Sequence, residues 1–142
     1  MGPDTTKFQK GMKMSAHHDP TTRGTADIDE EGVHVEVQPA PGHTVVVISG
    51  DLDIETLLPA KEALERAFWD NQVVIADLER VTFCDSSGLN LLLRVRANAI
   101  AAGAQLRLAA VSEPVRRLLE ITGTDAVFDA RPTVRAALPD AS

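Results

Sequence analysis

The chain predicts a single α/β domain built on one mixed, mostly parallel sheet. Three observations lead there. Apolar runs of strand length alternate with stretches in which apolar residues recur every three or four positions. The first two runs are separated only by a turn and so form a hairpin, whereas each later run is separated from the next by a helix-length segment, the crossover that parallel neighbours need. Finally, 142 residues with 44% hydrophobic and 4% aromatic content suit one core of Val, Leu, Ile and Ala.

The elements follow in order. Residues 1–30 mix Pro, Thr, Gly, His, Asp and Lys without a helical or strand period, the composition of a polar tail that cannot offset its own ordering entropy. The folded domain is expected over residues 31–142. Val33, Val35 and Val37 alternate with His34 and Glu36, and the Pro39-Ala40-Pro41-Gly42 turn leads into a second strand, Thr44 to Ser49. Gly50-Asp51-Leu52-Asp53 ends it. Ala60, Ala63, Leu64, Ala67 and Phe68 mark a helix from Thr56 to Trp69, with Pro59 in its first turn and Trp69 as a core anchor at its end. Val73 to Leu78 is nearly all apolar, as in a central strand covered on both faces.

A second helix carries Leu89, Leu92, Leu93, Ala97 and Ile100 and stops near Gly103. Gln105 to Ala110 is the fourth strand. Ser112 caps a third helix, with Pro114 near its first turn and Thr122-Gly123 at its end. Ala126-Val127-Phe128 is read as a short edge strand and Pro132 to Leu138 as a terminal helix. The order is β-β-α-β-α-β-α-β-α, with about four helices flanking five strands.

The formal charge of −7 narrows the function. Residues 31–142 hold 16 acidic against 10 basic side chains and no Lys/Arg cluster, so the domain lacks the electrostatic footprint of a direct nucleic-acid binder. Cys84 is the only cysteine, which excludes an internal disulfide framework and fits a reducing cytoplasm. No Cys/His spacing reads as a metal site, no motif calls for a cofactor, and no apolar stretch is long enough for membrane insertion.

The feature that carries chemistry is Asp85-Ser86-Ser87-Gly88, placed between an apolar run from Val73 to Leu78 that continues through Val81-Thr82-Phe83 and the helix opening at Leu89. Two hydroxyls at a helix start sit where unpaired amides and the helix dipole favour an anion. As nucleophiles these serines lack a Gly-x-Ser-x-Gly elbow and a base, since the only histidines of the domain, His34 and His43, fall on an early strand and its turn. As a phosphate cradle the segment lacks the glycine-rich loop and Lys-Ser or Lys-Thr pair. The simplest reading is a cap by Asp85 or Ser86, which leaves the Ser87 hydroxyl free to be modified. Asp51 and Asp53 end a neighbouring strand, so both loops are expected at one sheet edge.

Gly50-Asp51-Leu52-Asp53-Ile54-Glu55-Thr56, the run Val74 to Leu89 that contains the serine pair, Ala102-Gly103-Ala104-Gln105-Leu106 and Val115 to Gly123 resemble the successive signatures of the STAS domain, most closely its bacterial anti-sigma factor antagonist branch. The likeness runs from about residue 33 to residue 138. It implies that Ser87, less readily Ser86, is phosphorylated by an anti-sigma factor that is itself a serine kinase. It further implies that the unphosphorylated form binds that kinase and frees the sigma factor, and that a serine phosphatase resets the switch. By the same resemblance Asp53 lies in a loop contacting the partner, and Asp85 is the acid preceding the serine pair. Asp51, Ser86, Gly88, Asn90 and Arg94 complete the expected contact surface; Asn90 stands where the family often has a smaller residue, and Arg94 could complement acidic partner groups.

A phosphate on Ser87 adds roughly two negative charges beside Asp85 and repels an interface already acidic on this side. The chain would then be a cytoplasmic regulator and a substrate, not an enzyme. The alternative from a different class is a non-switching STAS subunit of a lipid- or solute-transport assembly.

Overall fold

The computed structural model describes residues 26–30 and 32–139. Six strands form one sheet in the order of the chain: β1 (Ala26–Glu30), β2 (Val33–Ala40), β3 (His43–Leu52), β4 (Val73–Cys84), β5 (Gln105–Ala109) and β6 (Asp129–Arg131). β1, β2 and β3 pair antiparallel, while β3, β4, β5 and β6 run parallel. The helices α1 (Leu57–Ala67), α2 (Ser86–Ala101) and α3 (Glu113–Thr122) make the three crossovers, and α4 (Val134–Ala137) closes the chain.

Sequential order has a structural effect. Parallel crossovers share one hand, so strands added in one direction place their helices on one face. The packing agrees: Val46 and Ile48 of β3, Val74, Ala76 and Leu78 of β4 and Leu106 and Leu108 of β5 form one core with α1, α2 and α3. The opposite face carries a small cluster of Val45, Val73, Ile75 and Ala109 under Ala137 of α4. Beyond it lies a polar surface that includes His34, Glu36, Ser49, Asp77 and Glu79. Only the first part of β4 is therefore covered on both sides.

β4 is longer than its alternation predicts. Val47 pairs with Asp77 but Ser49 with Arg80, and Gly50 pairs with Val81 but Asp51 with Phe83, so β4 carries one extra residue at each of two bulges. Its helix-facing residues consequently shift to a spacing of three, Leu78, Val81 and Cys84, all buried.

Five expectations need correction. Ala26–Glu30, assigned to the tail, pairs with β2 as an added edge strand; the alternation Ala26-Asp27-Ile28-Asp29 is too brief to stand out from the polar residues before it. The remainder of the expected tail, residues 1–25, lies outside the described residues. Residues 126–128 are not a strand: the chain leaves α3 through Gly123 at φ 76°, winds a short 3-10 turn over Thr124–Ala126, buries Phe128, and pairs with β5 only from Asp129. Ser112 has the extended backbone of a cap, yet its buried hydroxyl bonds to nothing among the described residues. Trp69 is no core anchor, being 74% exposed with Arg66 stacked 5.5 Å from its ring centroid. The terminal helix is confined to Val134–Ala137, begun by the Thr133 hydroxyl accepting from the Ala136 amide at 3.0 Å.

Candidate functional site

Parallel pairing of β3 with β4 brings Leu52 beside Cys84 and Asp51 beside Phe83, so the β3–α1 loop and the serine connection meet at one edge. The Asp85 amide donates to the Leu52 carbonyl at 3.4 Å, and the Thr82 hydroxyl donates to the Asp51 carboxylate at 3.1 Å. Gly50, at φ 95°, makes the turn that lets the chain pass the Gly32 carbonyl, which accepts from the Asp51 amide at 2.6 Å.

Asp53 is committed within its own loop. Its carboxylate accepts from the amides of Glu55 and Thr56 at 3.0 and 3.2 Å. The Thr56 hydroxyl donates to the Asp51 carbonyl at 2.7 Å and accepts from the Asp53 amide at 3.1 Å. These bonds close residues 51–56 into a fixed turn from which α1 starts.

Asp85 caps α2. Its carboxylate accepts from the amides of Ser87 at 2.9 Å and Gly88 at 3.3 Å, which are donors the first helical turn would otherwise leave unpaired. This changes the anion-site expectation, because the amides a phosphate would seek are already bonded to a carboxylate. A group attached to Ser87 has to compete with Asp85 or extend away from the helix end.

Ser86 is exposed and Ser87 half-buried, and neither hydroxyl bonds to another described residue. Both histidines are remote from catalytic use: His43 opens β3 at the opposite end of the sheet, and His34 lies on β2 with β3 between it and the serine connection. Asn90 and Arg94 are exposed on α2, three and seven residues beyond Ser87, and so continue its face along the helix.

Gly88 has a different part. It is buried, and a Cβ there would lie 2.6 Å from the Leu52 carbonyl oxygen and 2.8 Å from Cys84 Sγ. Its contribution is to let the first turn of α2 rest on the end of β3. Beneath it, burial and then the charge of Asp85 push the Cys84 thiol up to about 11, so it stays protonated and unreactive at neutral pH.

The sheet edge therefore gathers Asp51, Asp53, Asp85, Ser86, Ser87 and Gly88 from two loops, with Asn90 and Arg94 leading away from it. Sequence reasoning missed Thr56 and Thr82, whose hydroxyls tie these loops; Thr56, three residues after Asp53, was the available signal. No helix among the described residues is long and apolar enough to cross a membrane.

A sequence profile of the STAS domain matches residues 34–137, and the chain belongs to that family. Among its relatives, a STAS-domain containing protein of Pseudomonas aeruginosa is 32% identical over 83 residues, 58% of this chain and 82% of that protein. The anti-sigma F factor antagonist of Paenibacillus polymyxa is 28% identical over 93 residues, 64% of this chain and 80% of that one. The crystal structure of an anti-sigma factor antagonist from Mycobacterium paratuberculosis superposes with a TM-score of 0.67 at 25% identity, covering 77% of this chain and 93% of that chain.

Proposed function

We propose that the protein is an anti-sigma factor antagonist whose unphosphorylated form binds a kinase-type anti-sigma factor, releasing the sigma factor, and whose phosphorylation at Ser87 turns that binding off. It acts as a cytoplasmic binding protein and a kinase substrate, and a serine phosphatase resets it. The observation that carries the reading is the Ser87 hydroxyl, unengaged at the start of α2 beside a carboxylate that already holds the first-turn amides. The names of two relatives, both anti-sigma factor antagonists, point the same way.

The physics of the switch follows from charge. With Asp85 retained as cap, a phosphoryl group on Ser87 lies outside the helix amides and adds roughly two negative charges near Asp85. In a contact that must desolvate this edge, the repulsion opposes association without any need to refold the domain. A hundredfold loss of affinity needs only about 2.7 kcal/mol.

The test is incubation of the purified chain with a kinase-type anti-sigma factor from the same genome and ATP, followed by phosphosite mapping. Labelling should fall on Ser87 and vanish in Ser87→Ala, while Ser87→Asp should bind the kinase at least tenfold more weakly than wild type. Undiminished labelling of Ser87→Ala would remove the assignment, and equal affinity of Ser87→Asp would remove the charge mechanism.

A further inference from the structure

Away from the serine connection, the carboxyl ends of the last two strands carry a second opening. α3 follows β5 and joins the main core through Val115 and Leu119, whereas α4 follows β6 and sets Val134 and Ala137 against the small cluster on the other face. α4 is free to do so because, among the described residues, no further strand follows it. Neighbouring connections that part to opposite faces leave a crevice at the strand ends, a usual place for a ligand in an open sheet.

The crevice is a hollow of about 280 Å³. Val111, Leu119 and Pro132 give it apolar walls, and Ala130 of β6 borders it. Ala110, also in the lining, has φ 53°, in the left-handed region that alanine rarely enters, while its amide still donates to the Arg131 carbonyl at 3.0 Å. The chain thus turns off the sheet towards α3 without releasing β6. Strain of this kind in a residue other than glycine gathers at ligand clamps and active sites.

Charge selects the ligand. Two arginines line the hollow, and both are committed to acids outside it. Arg116 donates to Glu120 at 3.0 Å and to Glu113 at 2.8 Å. Arg131 donates to the Asp129 carboxylate at 2.6 and 3.1 Å and to the Ala136 carbonyl at 2.9 Å. Guanidinium groups so engaged offer little to an anion. Asp125 is the exception: the 3-10 turn after Gly123 carries it into the lining, and among the described residues its exposed carboxylate has neither an ion pair nor a hydrogen bond.

We propose that the hollow at the ends of β5 and β6 binds a small organic ammonium ion, with its charged group on the Asp125 carboxylate and its apolar body against Val111, Leu119 and Pro132. The ammonium donates charge-assisted hydrogen bonds to an acceptor that the fold leaves unused. The volume lies just under the range of ordinary ligand pockets, roughly 300–1,000 Å³, and suits a body of a few carbons.

The test is a titration of the full chain, followed by backbone amide NMR, with isopentylamine, isopentanol and isovalerate, which are alike in shape and differ in charge. Isopentylamine should give saturable shifts at Val111, Asp125 and Ala130 with a Kd on the order of 1 mM. Isopentanol should bind about tenfold more weakly and isovalerate more weakly still. Asp125→Asn should lower the affinity for the amine about tenfold and erase its advantage over the alcohol. Ala130→Leu fills the hollow from an exposed position and should abolish the shifts; the nearly isosteric Asp125→Asn keeps the test decisive if the filled variant folds poorly. Isovalerate binding as tightly as the amine, or an amine affinity unchanged in Asp125→Asn, would overturn the assignment of a cation. No saturable shift with any of the three probes, or shifts that survive in a folded Ala130→Leu chain, would overturn the site itself.

Discussion

Gly88→Ala sets two physical effects of opposite sign against each other. Position 88 lies in the first turn of α2, where replacing glycine by alanine ordinarily stabilises a helix by about 1 kcal/mol. The added methyl, however, would lie 2.6 Å from the Leu52 carbonyl oxygen, 2.8 Å from Cys84 Sγ and 3.0 Å from Leu52 Cγ. The first neighbour is backbone, paired in the β3–β4 ladder and receiving the Asp85 amide, so it cannot yield without moving the site. Overpacking of this kind costs about 1–3 kcal/mol. Taking its upper range, because one clash is with backbone, the net loss is about 1–2 kcal/mol, a fall of about 4–8 °C in Tm for a domain of this size. Urea and thermal unfolding of the purified variant measure it. A Gly88→Ala protein as stable as wild type, or more so, would falsify the claim that this glycine exists for the seating of α2.

Asp85→Ala removes the acceptor of two first-turn amides and should cost about 1 kcal/mol, whereas Asp85→Asn, which keeps the acceptor oxygen, should lie within a few tenths of wild type in the same melts. Cys84 gives a pH signature: its folded thiol is raised to about 11 from an ordinary value of 9.0. The unfolded chain therefore releases this proton first, the contribution is complete below about 9, and stability is lost as pH rises from there through about 11. Urea midpoints of wild type and Cys84→Ala across that range should converge towards high pH, and a constant difference would refute the shift. Trp69, the only tryptophan, should show solvent-exposed emission in the native state, ready acrylamide quenching and little spectral shift on unfolding; a blue-shifted native spectrum would show that something covers it.

What could be read in advance depended on how locally each feature is encoded. Helices α1, α2 and α3 were legible because their buried residues repeat at helical spacing, and a cap at Asp85 or Ser86 because N-caps use short-range chemistry; the geometry selects Asp85. β4 was cut short at Leu78 because its bulges replace alternation with the spacing Leu78, Val81, Cys84, which a two-residue period does not detect. β1 was missed because an edge strand is defined by the register of its neighbour, Ala26 opposite Val37 through Glu30 opposite Val33, rather than by its own composition. Trp69 was misplaced because an indole at a helix end reads equally as core or surface until the packing is known.

At the sheet edge, the meeting of the two loops was legible but the separate bonding of their acids was not. Asp51, Asp53 and Asp85 all presented themselves as acids near a serine. Only the geometry distinguishes them: Asp53 closes its loop, Asp51 receives Thr82 from the next strand, and Asp85 occupies the helix amides. Gly88 looked like contact surface and is instead buried spacing.

The uninterrupted strand order has a last consequence. In open parallel sheets, a binding crevice forms where the order reverses and neighbouring connections leave to opposite sides. From β3 to β6 this sheet never reverses. The edge at Ser87 therefore lacks a fork between helix layers; the fork lies between β5 and β6, where α3 and α4 pack on opposite faces and a hollow is lined by Ala110, Val111, Arg131 and Pro132. The hollow and the serine connection thus occupy different parts of the same carboxyl edge, so a small molecule held in the one need not touch the other.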